Sequence, residues 1–249
     1  MKPFQFYLIK DFRRPAVGGS LQNEVQMTFS GEAEDVRTVL TLKAEKFEGP
    51  LDFLRVKSEI RHQTFGFIKT MVEMKRHKID FAEYLEPVDF PAYFDTTQNL
   101  MIFQAPKKVC RGVLQHLKKK PCGITLAEVE VDFVKVMQLT REYFGVWFKG
   151  VSTRVQAAAL SGNQIQEDSL FKTLQRIGSV SNLTIPWVFG GAEHHVMLTS
   201  RGGVILVQNY QDNIGLELQL VMDIQKRLLQ KVWHERKSSK EDDDVPGEP

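Results

Sequence analysis

The sequence predicts an α+β fold made of two mainly antiparallel sheet-and-helix lobes, with a long amphipathic helix near the C-terminus. Short apolar stretches separated by turn residues outnumber helical patterns. Hairpin signals recur, and strands do not alternate with long helices as they do in doubly wound parallel sheets. The Pro-Cys-Gly break at 121–123 divides the chain into predicted lobes of residues 1–120 and 121–237. The acidic segment 238–249 is predicted to be a disordered tail.

The first lobe is predicted to consist mainly of strands. Residues 4–10, FQFYLIK, place Phe4 and Phe6 on one face and Tyr7 and Ile9 on the other, so the strand is apolar on both faces and is expected to be central. The further predictions for this lobe are strands at 25–31 and 39–47, a strand followed by a helix at 51–78, an acidic surface connection at 79–95, a hairpin at 92–106 and a helix after it.

The second lobe is predicted to begin with a strand at residue 124. Pro186 cannot donate to a strand ladder, so the strand that contains it, 183–189, is expected at a sheet edge. The Ser-Arg-Gly-Gly turn at 200–203 predicts a hairpin over 195–209, because glycine supplies the positive φ angle that tight turns need. The remaining predictions are strands at 144–151 and 153–160 and helices at 167–177 and 215–237.

The composition is that of a folded soluble protein, with 42% hydrophobic and 26% charged residues. Two cysteines, Cys110 and Cys122, cannot build a disulfide scaffold and suit burial as thiols in a reducing compartment. The N-terminal apolar run is too short for a signal peptide, and no run approaches the roughly 18 residues that span a bilayer. A cytoplasmic location without a membrane partner is therefore expected.

Positive charge is concentrated in one stretch, although the net charge of the chain is only +2. Residues 105–121, APKKVCRGVLQHLKKKP, hold six basic residues and no acidic one. As a helix at about 100° per residue, this stretch places its cations within an arc of about 120°, opposite its apolar residues. These cations are Lys107, Lys108, Arg111, Lys118 and Lys119. Because they repel one another, the helix predicts an anionic partner, nucleic acid first, or else a solvated surface helix.

A second basic cluster lies in residues 55–78, which contain seven Lys and Arg but only two Glu. It adds Arg61, Lys75 and Arg76 to the predicted nucleic-acid-binding residues. The sequence contains no RNP-like motif and no clear helix-turn-helix pattern. Contact with the phosphate backbone, without strong sequence specificity, is therefore the expected mode of binding.

The favoured hypothesis is a non-enzymatic, oligomeric nucleic-acid-binding protein that acts with another component, for example as a bacterial defence accessory. It predicts no catalytic residue and no cofactor. One alternative is a scaffold or regulatory subunit whose basic face docks an acidic protein partner. A second is a metal-dependent nuclease in which Asp52 and Glu73 hold Mg²⁺ and Lys75 orients the attacking water.

Three carboxylates, Glu128, Glu130 and Asp132, lie in a row along one face of the predicted strand that begins at residue 124. Successive members of the row lie roughly 7 Å apart, too far for one metal ion without ligands from another strand. A solvated strand face opposite a basic neighbour is the favoured interpretation, and a metal site is the alternative.

The predicted C-terminal helix has an apolar arc about twice as wide as the roughly 100° that a helix with one wet face needs. Either the helix is sandwiched within its own fold, or half of the arc meets another chain. In the second case Leu218, Met222, Leu229 and Trp233 form the interface, with Trp233 as its anchor.

Overall fold

The structure is a computed structural model that describes residues 1–29, 32–72, 75–120, 122–140, 142–211 and 213–236. The predicted tail, 238–249, lies outside these residues. Glu73, the second carboxylate of the predicted metal site, also lies outside them. The described residues form an α+β fold dominated by one antiparallel sheet, so the predicted fold class is confirmed at that level.

Strands make up most of the described fold, and they pair in antiparallel fashion. The strands before the basic helix are β1 (Lys2–Phe12), β2 (Ser20–Phe29), β3 (Glu32–Glu48), β4 (Leu51–Val72), β5 (Lys75–Asp95) and β6 (Leu100–Phe103). Those after it are β7 (Ile124–Val131), β8 (Gly145–Lys149), β9 (Ala157–Ser161), β10 (Ser179–Phe189), β11 (Ala192–Thr199), β12 (Gly203–Leu206) and β13 (Trp233–Glu235).

Helices cover the sheet rather than alternate with its strands. They are α1 (Lys107–Lys119), α2 (Phe133–Leu139), a 3₁₀ turn (Ile165–Glu167), α3 (Ser169–Ile177), α4 (Ile214–Ile224), a π-helical turn (Gln225–Leu229) and α5 (Gln230–Val232). No helix among the described residues is long and apolar enough to cross a membrane.

β1 lies at the centre of the sheet, as its two apolar faces predict. The strand order is β2-β3-β4-β5-β6-β1-β12-β11-β10-β8-β9, and β7 joins β1 to β13. One edge of β1 pairs with β6. The other edge pairs first with β12 and then, further along the strand, with β7. β1 therefore connects the strands that precede α1 with those that follow it.

The two faces of the sheet carry separate hydrophobic clusters. Phe4 and Phe6 of β1 pack into a cluster that includes α2, α3 and the helical segment α4–α5. Tyr7 packs into the other cluster, which includes α1. Most residues of each cluster come from one half of the chain. The predicted division into lobes of 1–120 and 121–237 remains a prediction, because one strand path runs through both halves.

β4 and β5 form a long ladder that continues as a two-stranded arm beyond their pairings with β3 and β6, and this ladder corrects two sequence predictions. The sequence predicts that 51–78 ends in a helix and that 79–95 forms a surface connection. Instead β4 pairs with β5 from Leu51↔Asp95 to Val72↔Lys75, with a register shift near Gly66. Apolar residues that alternate along both strands, together with ion pairs across them, favour this ladder over a helix. Because each partner lies in the other segment, neither segment alone contains this information.

Two smaller predictions also need correction. The strand that contains Pro186, β10, is flanked by β11 and β8, so it is not an edge strand along its whole length. Its pairing with β8 ends at Thr184, however, and Pro186 lies beyond that point, where it pairs only with β11. The predicted C-terminal helix ends at Val232, and Trp233 begins β13.

A buried polar cluster joins α1 to the sheet. The Nδ1 atom of His116 lies 3.3 Å from the Ser58 hydroxyl and 3.4 Å from that of Thr38, and these two hydroxyls are 2.7 Å apart. All three residues are buried. Burial lowers the pKa of His116 to about 4, and the positive charge of Lys119 acts in the same direction. His116 is therefore neutral in the folded protein at physiological pH.

We expect this buried histidine to make the protein less stable in mild acid. The unfolded chain binds a proton near the ordinary pKa of 6.5, whereas the folded chain binds it only near 4. His116 therefore leaves the free energy of unfolding unchanged above about pH 6.5. It lowers that free energy by up to about 3 kcal/mol as the pH drops towards 4. Urea unfolding of the wild type and of His116→Asn between about pH 7 and about pH 4.5 measures this dependence.

The variant should show a flatter fall in unfolding free energy over that range, because asparagine keeps a hydrogen-bonding group near the Nδ1 position but does not titrate. His234→Asn serves as the control, because the His234 side chain is 62% exposed. A His116→Asn profile that runs parallel to the wild type would contradict the assignment of this pH dependence to His116.

Candidate nucleic-acid interface

α1 forms where it is predicted and lies with its apolar side on the sheet. Pro106 precedes its first residue, a place where the missing proline N–H leaves no helix hydrogen bond unmade. The helix buries Cys110, Val113, Leu114, His116 and Leu117. The amide of Asn23 donates to the carbonyls of His116 and Lys120 at 2.7 and 2.8 Å, which satisfies acceptors at the helix C-terminus. The sheet therefore fixes both the rotation and the end of the helix.

The cationic side of α1 remains in contact with solvent. Lys107, Lys108, Lys118 and Lys119 are exposed, and Arg111 is half-buried. Gly112, in contrast, faces the sheet: a Cβ atom there would lie 2.6 Å from Cδ1 of Ile60. The missing side chain thus allows the helix to approach β4.

The hairpin turn between β11 and β12 brings a further cation to α1. Gly202 lies in this turn with a φ of +72°, and its carbonyl accepts a hydrogen bond from the Phe6 amide at 3.2 Å. The turn packs so closely against β1 and β7 that a Cβ on Gly202 would lie 2.1 Å from Cγ2 of Val129. The Gln5 side chain donates to the carbonyl of Arg201. These contacts fix the backbone of Arg201 beside α1.

Four cations from three elements converge at this point. Partial loss of solvent around its ammonium group lowers the pKa of Lys107, and the positive charges of Arg201, Lys149 and Arg111 lower it further, in that order. Lys149 ends β8, Arg201 lies in the β11–β12 turn, and the other two belong to α1. Glu128 opposes the effect and raises the pKa of Lys107. We call these four residues, together with Lys108, Lys118 and Lys119, the basic surface.

Glu128 lies at the border of the basic surface. Its Oε2 atom is 3.8 Å from the Lys118 ammonium and 3.5 Å from the guanidinium of Arg236. The Arg236 amide also donates to the Glu128 carbonyl at 2.9 Å. One carboxylate thus neutralises part of the charge on this side and orients Arg236 along the edge of α1.

The carboxylates predicted to line one face of this strand contact basic side chains or cap a helix, as the favoured interpretation expects. Glu130 lies 3.8 Å from His234. Asp132 caps the N-terminus of α2 by accepting from the Lys135 amide at 3.2 Å, and this hydrogen bond lowers the pKa of Asp132. Within the part of the chain that the structure describes, no group of three His, Cys, Asp or Glu is arranged to hold a metal ion.

The second basic cluster predicted at 55–78 is largely neutralised where its side chains are described. Arg61 pairs with Glu83, from Nε to Oε2 at 2.6 Å. Arg55 pairs with Asp89, and Lys57 lies 3.9 Å from the same carboxylate. The acidic partners come from β5, a segment that the sequence alone assigns to a separate connection. Lys75 and Arg76 lie in β5, but their side chains are outside the described residues.

The predicted nuclease site receives no support from Asp52. This carboxylate is fully buried and accepts from Arg14 at 2.6 and 2.7 Å and from the Lys46 amide at 3.0 Å. Val72 lies 20 positions further along the same strand, about 65 Å away at the usual rise of an extended strand. Asp52 therefore stabilises the fold through an ion pair.

The predicted protein interface is corrected at two of its four residues. Leu218 and Leu229 are completely buried within the chain, so neither is available to a second one. Met222 is half-buried and packs against the same cluster. Trp233 is half-buried in β13, where its ring meets that of Phe6 at a centroid distance of 5.6 Å. The wide apolar arc of the C-terminal helix is thus largely filled by the protein's own sheet.

Sequence reasoning missed Lys149, Arg201 and Arg236 as neighbours of α1. The Ser-Arg-Gly-Gly turn is recognisable from the sequence, and so is the arginine at the tip of that hairpin. Its position beside α1 depends on the pairing of β1 with both β12 and β7, which no local pattern contains.

No protein-family model and no curated protein matches the chain. Function is therefore inferred from the geometry and charge of the site.

We expect Gly202→Ala to be much more destabilising than Gly112→Ala. At Gly202 the new Cβ meets the buried Val129 at 2.1 Å and the φ angle is +72°, so the loss should be about 3 kcal/mol or more. At Gly112 the new Cβ would meet Cδ1 of Ile60 at 2.6 Å and Cγ2 of Ile60 at 3.0 Å, the φ angle is not positive, and alanine gains about 1 kcal/mol of helix propensity. Urea unfolding of both variants measures the difference.

Ile60→Val provides the matched control, because it removes the Cδ1 atom that a Cβ at position 112 would touch. Adding Gly112→Ala to Ile60→Val should lower the free energy of unfolding by less than adding it to the wild type, because only the milder contact with Cγ2 at 3.0 Å remains. Equal losses for Gly202→Ala and Gly112→Ala would show that the β11–β12 turn is not held as tightly as these contacts imply.

Proposed function

We propose that the protein binds nucleic acid through the basic surface, by contacts with the phosphate backbone. The observation that carries this proposal is the convergence of Lys107, Arg111, Lys149 and Arg201 from three elements of the fold. Like charges held in one place repel one another, and this repulsion opposes folding. A bound anion lowers the energy of every cation in the group.

Phosphate groups suit this surface better than a single small anion. The cations of α1 extend from its first residue, Lys107, to its last, Lys119, a distance of about 18 Å at 1.5 Å per residue. Charges spaced over such a length match a polyanion whose phosphates repeat along a strand. Exposed lysine ammonium groups act as mobile point charges, which favours backbone contact over recognition of base edges.

The proposed surface lies at the junction of the two predicted lobes. Lys107 and Arg111 belong to residues 1–120, whereas Lys149 and Arg201 belong to 121–237. Packing of the β11–β12 turn against β1 and β7 holds the two groups together. In this proposal the surface is assembled only when both halves of the chain are folded, and a partner protein or nucleic acid meets it as one unit.

An acidic protein partner would use the same cations, so the experiment must separate the two. Binding to nucleic acid releases condensed counterions, and its affinity falls steeply and linearly in a plot of log K against log salt. Binding to a folded acidic protein also weakens with salt but lacks this dependence on the number of phosphates contacted.

We expect the triple variant Lys107→Gln, Lys149→Gln, Arg201→Gln to weaken binding to a fluorescent single strand or duplex at least about tenfold at moderate salt. The slope of log K against log salt should become shallower by about two to three, because up to three phosphate contacts are lost. Fluorescence anisotropy at several salt concentrations measures both quantities.

The matched control removes three cations from the helices on the opposite face of the sheet, with Lys172→Gln, Lys226→Gln and Lys231→Gln. These residues are exposed, and their removal changes the net charge equally. The control should leave the affinity within about twofold of wild type. Equal losses of affinity in the two triple variants would show that net charge, and not the basic surface, determines binding. Absence of measurable binding by the wild type would refute the proposal.

A further inference from the structure

A cavity of about 320 Å³ lies on the side of the sheet opposite α1. It is bordered by the turn between β3 and β4, the turn between β5 and β6, and one side of α4 with the start of the π-helical turn. Leu51, Leu218 and Met222 provide apolar walls, and Asp95 and Gln98 contribute polar groups to its lining. These elements are separate from the basic surface, so a ligand here would not compete with nucleic acid.

Asp95 is a fully buried carboxylate with an incomplete set of partners. Its Oδ1 atom accepts from the Thr97 amide at 2.8 Å, from the Thr97 hydroxyl at 2.6 Å and from the Gln98 amide at 3.2 Å. Its Oδ2 atom is buried and has no hydrogen-bond partner in the described structure. The turn therefore fixes the orientation of the carboxylate while one oxygen remains unsatisfied.

The other buried carboxylates of the described chain have cationic partners. Asp52 pairs with Arg14, and Glu217 lies 2.9 Å from the Lys2 ammonium. Asp95 has no such cation among the described residues. Leaving a buried charged acceptor without a donor costs more than the roughly 1–3 kcal/mol of a neutral group. Unsatisfied buried groups of this kind are rare in native folds, and a bound ligand that donates a hydrogen bond would satisfy this one.

A second acceptor in the cavity lining shares this property. Oε1 of Gln98 is also buried without a hydrogen-bond partner in the described structure. In contrast, the two carboxylates at the rim are partnered: Glu48 accepts from Gln219 at 2.9 Å, and Asp223 accepts from Trp187 and Arg227, both at 2.9 Å. The lining also contains one cation, Lys226, but its three carboxylates outnumber it, and its two unsatisfied oxygens lack donors.

We propose that this cavity binds a small organic amine as its ammonium ion. The ammonium group donates to Oδ2 of Asp95 and to Oε1 of Gln98 and so supplies the two missing donors. The apolar part of the ligand packs against Leu51, Leu218 and Met222. A metal ion is a poorer fit, because no set of three His, Cys, Asp or Glu ligands is arranged for one within the described residues.

Phenethylamine and 2-phenylethanol provide a matched pair of probes, because they have similar size and apolar surface but only the amine is charged. Isothermal titration calorimetry of the full chain should show the amine binding at least about tenfold more tightly than the alcohol. Asp95→Asn should reduce amine affinity at least about tenfold, because the amide keeps the Oδ1 acceptor but loses the charge. Asp35→Asn, an exposed aspartate on β3, should leave it unchanged.

Met222→Trp tests the same site without touching the turn, since the larger side chain would fill the cavity and abolish amine binding. Circular dichroism and urea unfolding establish that each variant is folded, and if Asp95→Asn is not, the Met222 variant decides. Equal affinity for amine and alcohol, unchanged binding in the folded variants, or no saturable binding up to about 10 mM overturns the proposal. Because the basic surface is not altered, nucleic-acid binding should persist in both variants whatever the outcome.

Discussion

The whole fold depends on the position of β1, a strand that is buried on both faces and paired along both edges. Its side chains alternate between two hydrophobic clusters, so each face of the sheet acquires its own covering helices. Its second edge is divided between β12 and β7. The β11–β12 turn occupies the place where one partner gives way to the other, and the hydrogen bond from Phe6 to Gly202 marks that point.

This division of one strand edge explains how the basic surface is assembled. α1 is positioned by its apolar side and by Asn23, whereas Arg201 is positioned by a turn more than 80 residues later in the chain. Neither position depends on attraction between the cations, which repel one another. Hydrophobic burial and backbone hydrogen bonds thus hold like charges together, and the repulsion remains available to favour an anionic ligand.

The sequence predicts elements whose signals are local. β1, α1, α3 and the hairpin turn at Arg201 follow from alternation, amphipathic spacing and glycine positions. The arm formed by β4 and β5 does not, because its ion pairs join residues such as Arg61 and Glu83 from two segments that local patterns treat separately. The same limit applies to charge. A cluster that is basic in one segment is neutralised by the strand beside it, whereas no strand in the part of the chain that the structure describes covers the outer side of α1.

Two buried aspartates on opposite faces of the sheet, Asp52 and Asp95, differ in their partners, and the difference concerns the cavity beside Asp95. Leu51 and Asp52 are adjacent in β4, and their partners across the ladder are Asp95 and Phe94. Asp52 and Asp95 therefore lie almost side by side but point to opposite faces, because successive strand residues alternate. On one face Arg14 reaches Asp52. On the other, Asp95 borders a cavity with apolar walls and an unsatisfied oxygen. The same kind of group, buried to the same extent, has a cationic partner among the described residues at Asp52 and none among them at Asp95. A cationic donor from outside the chain would make the second case equivalent to the first.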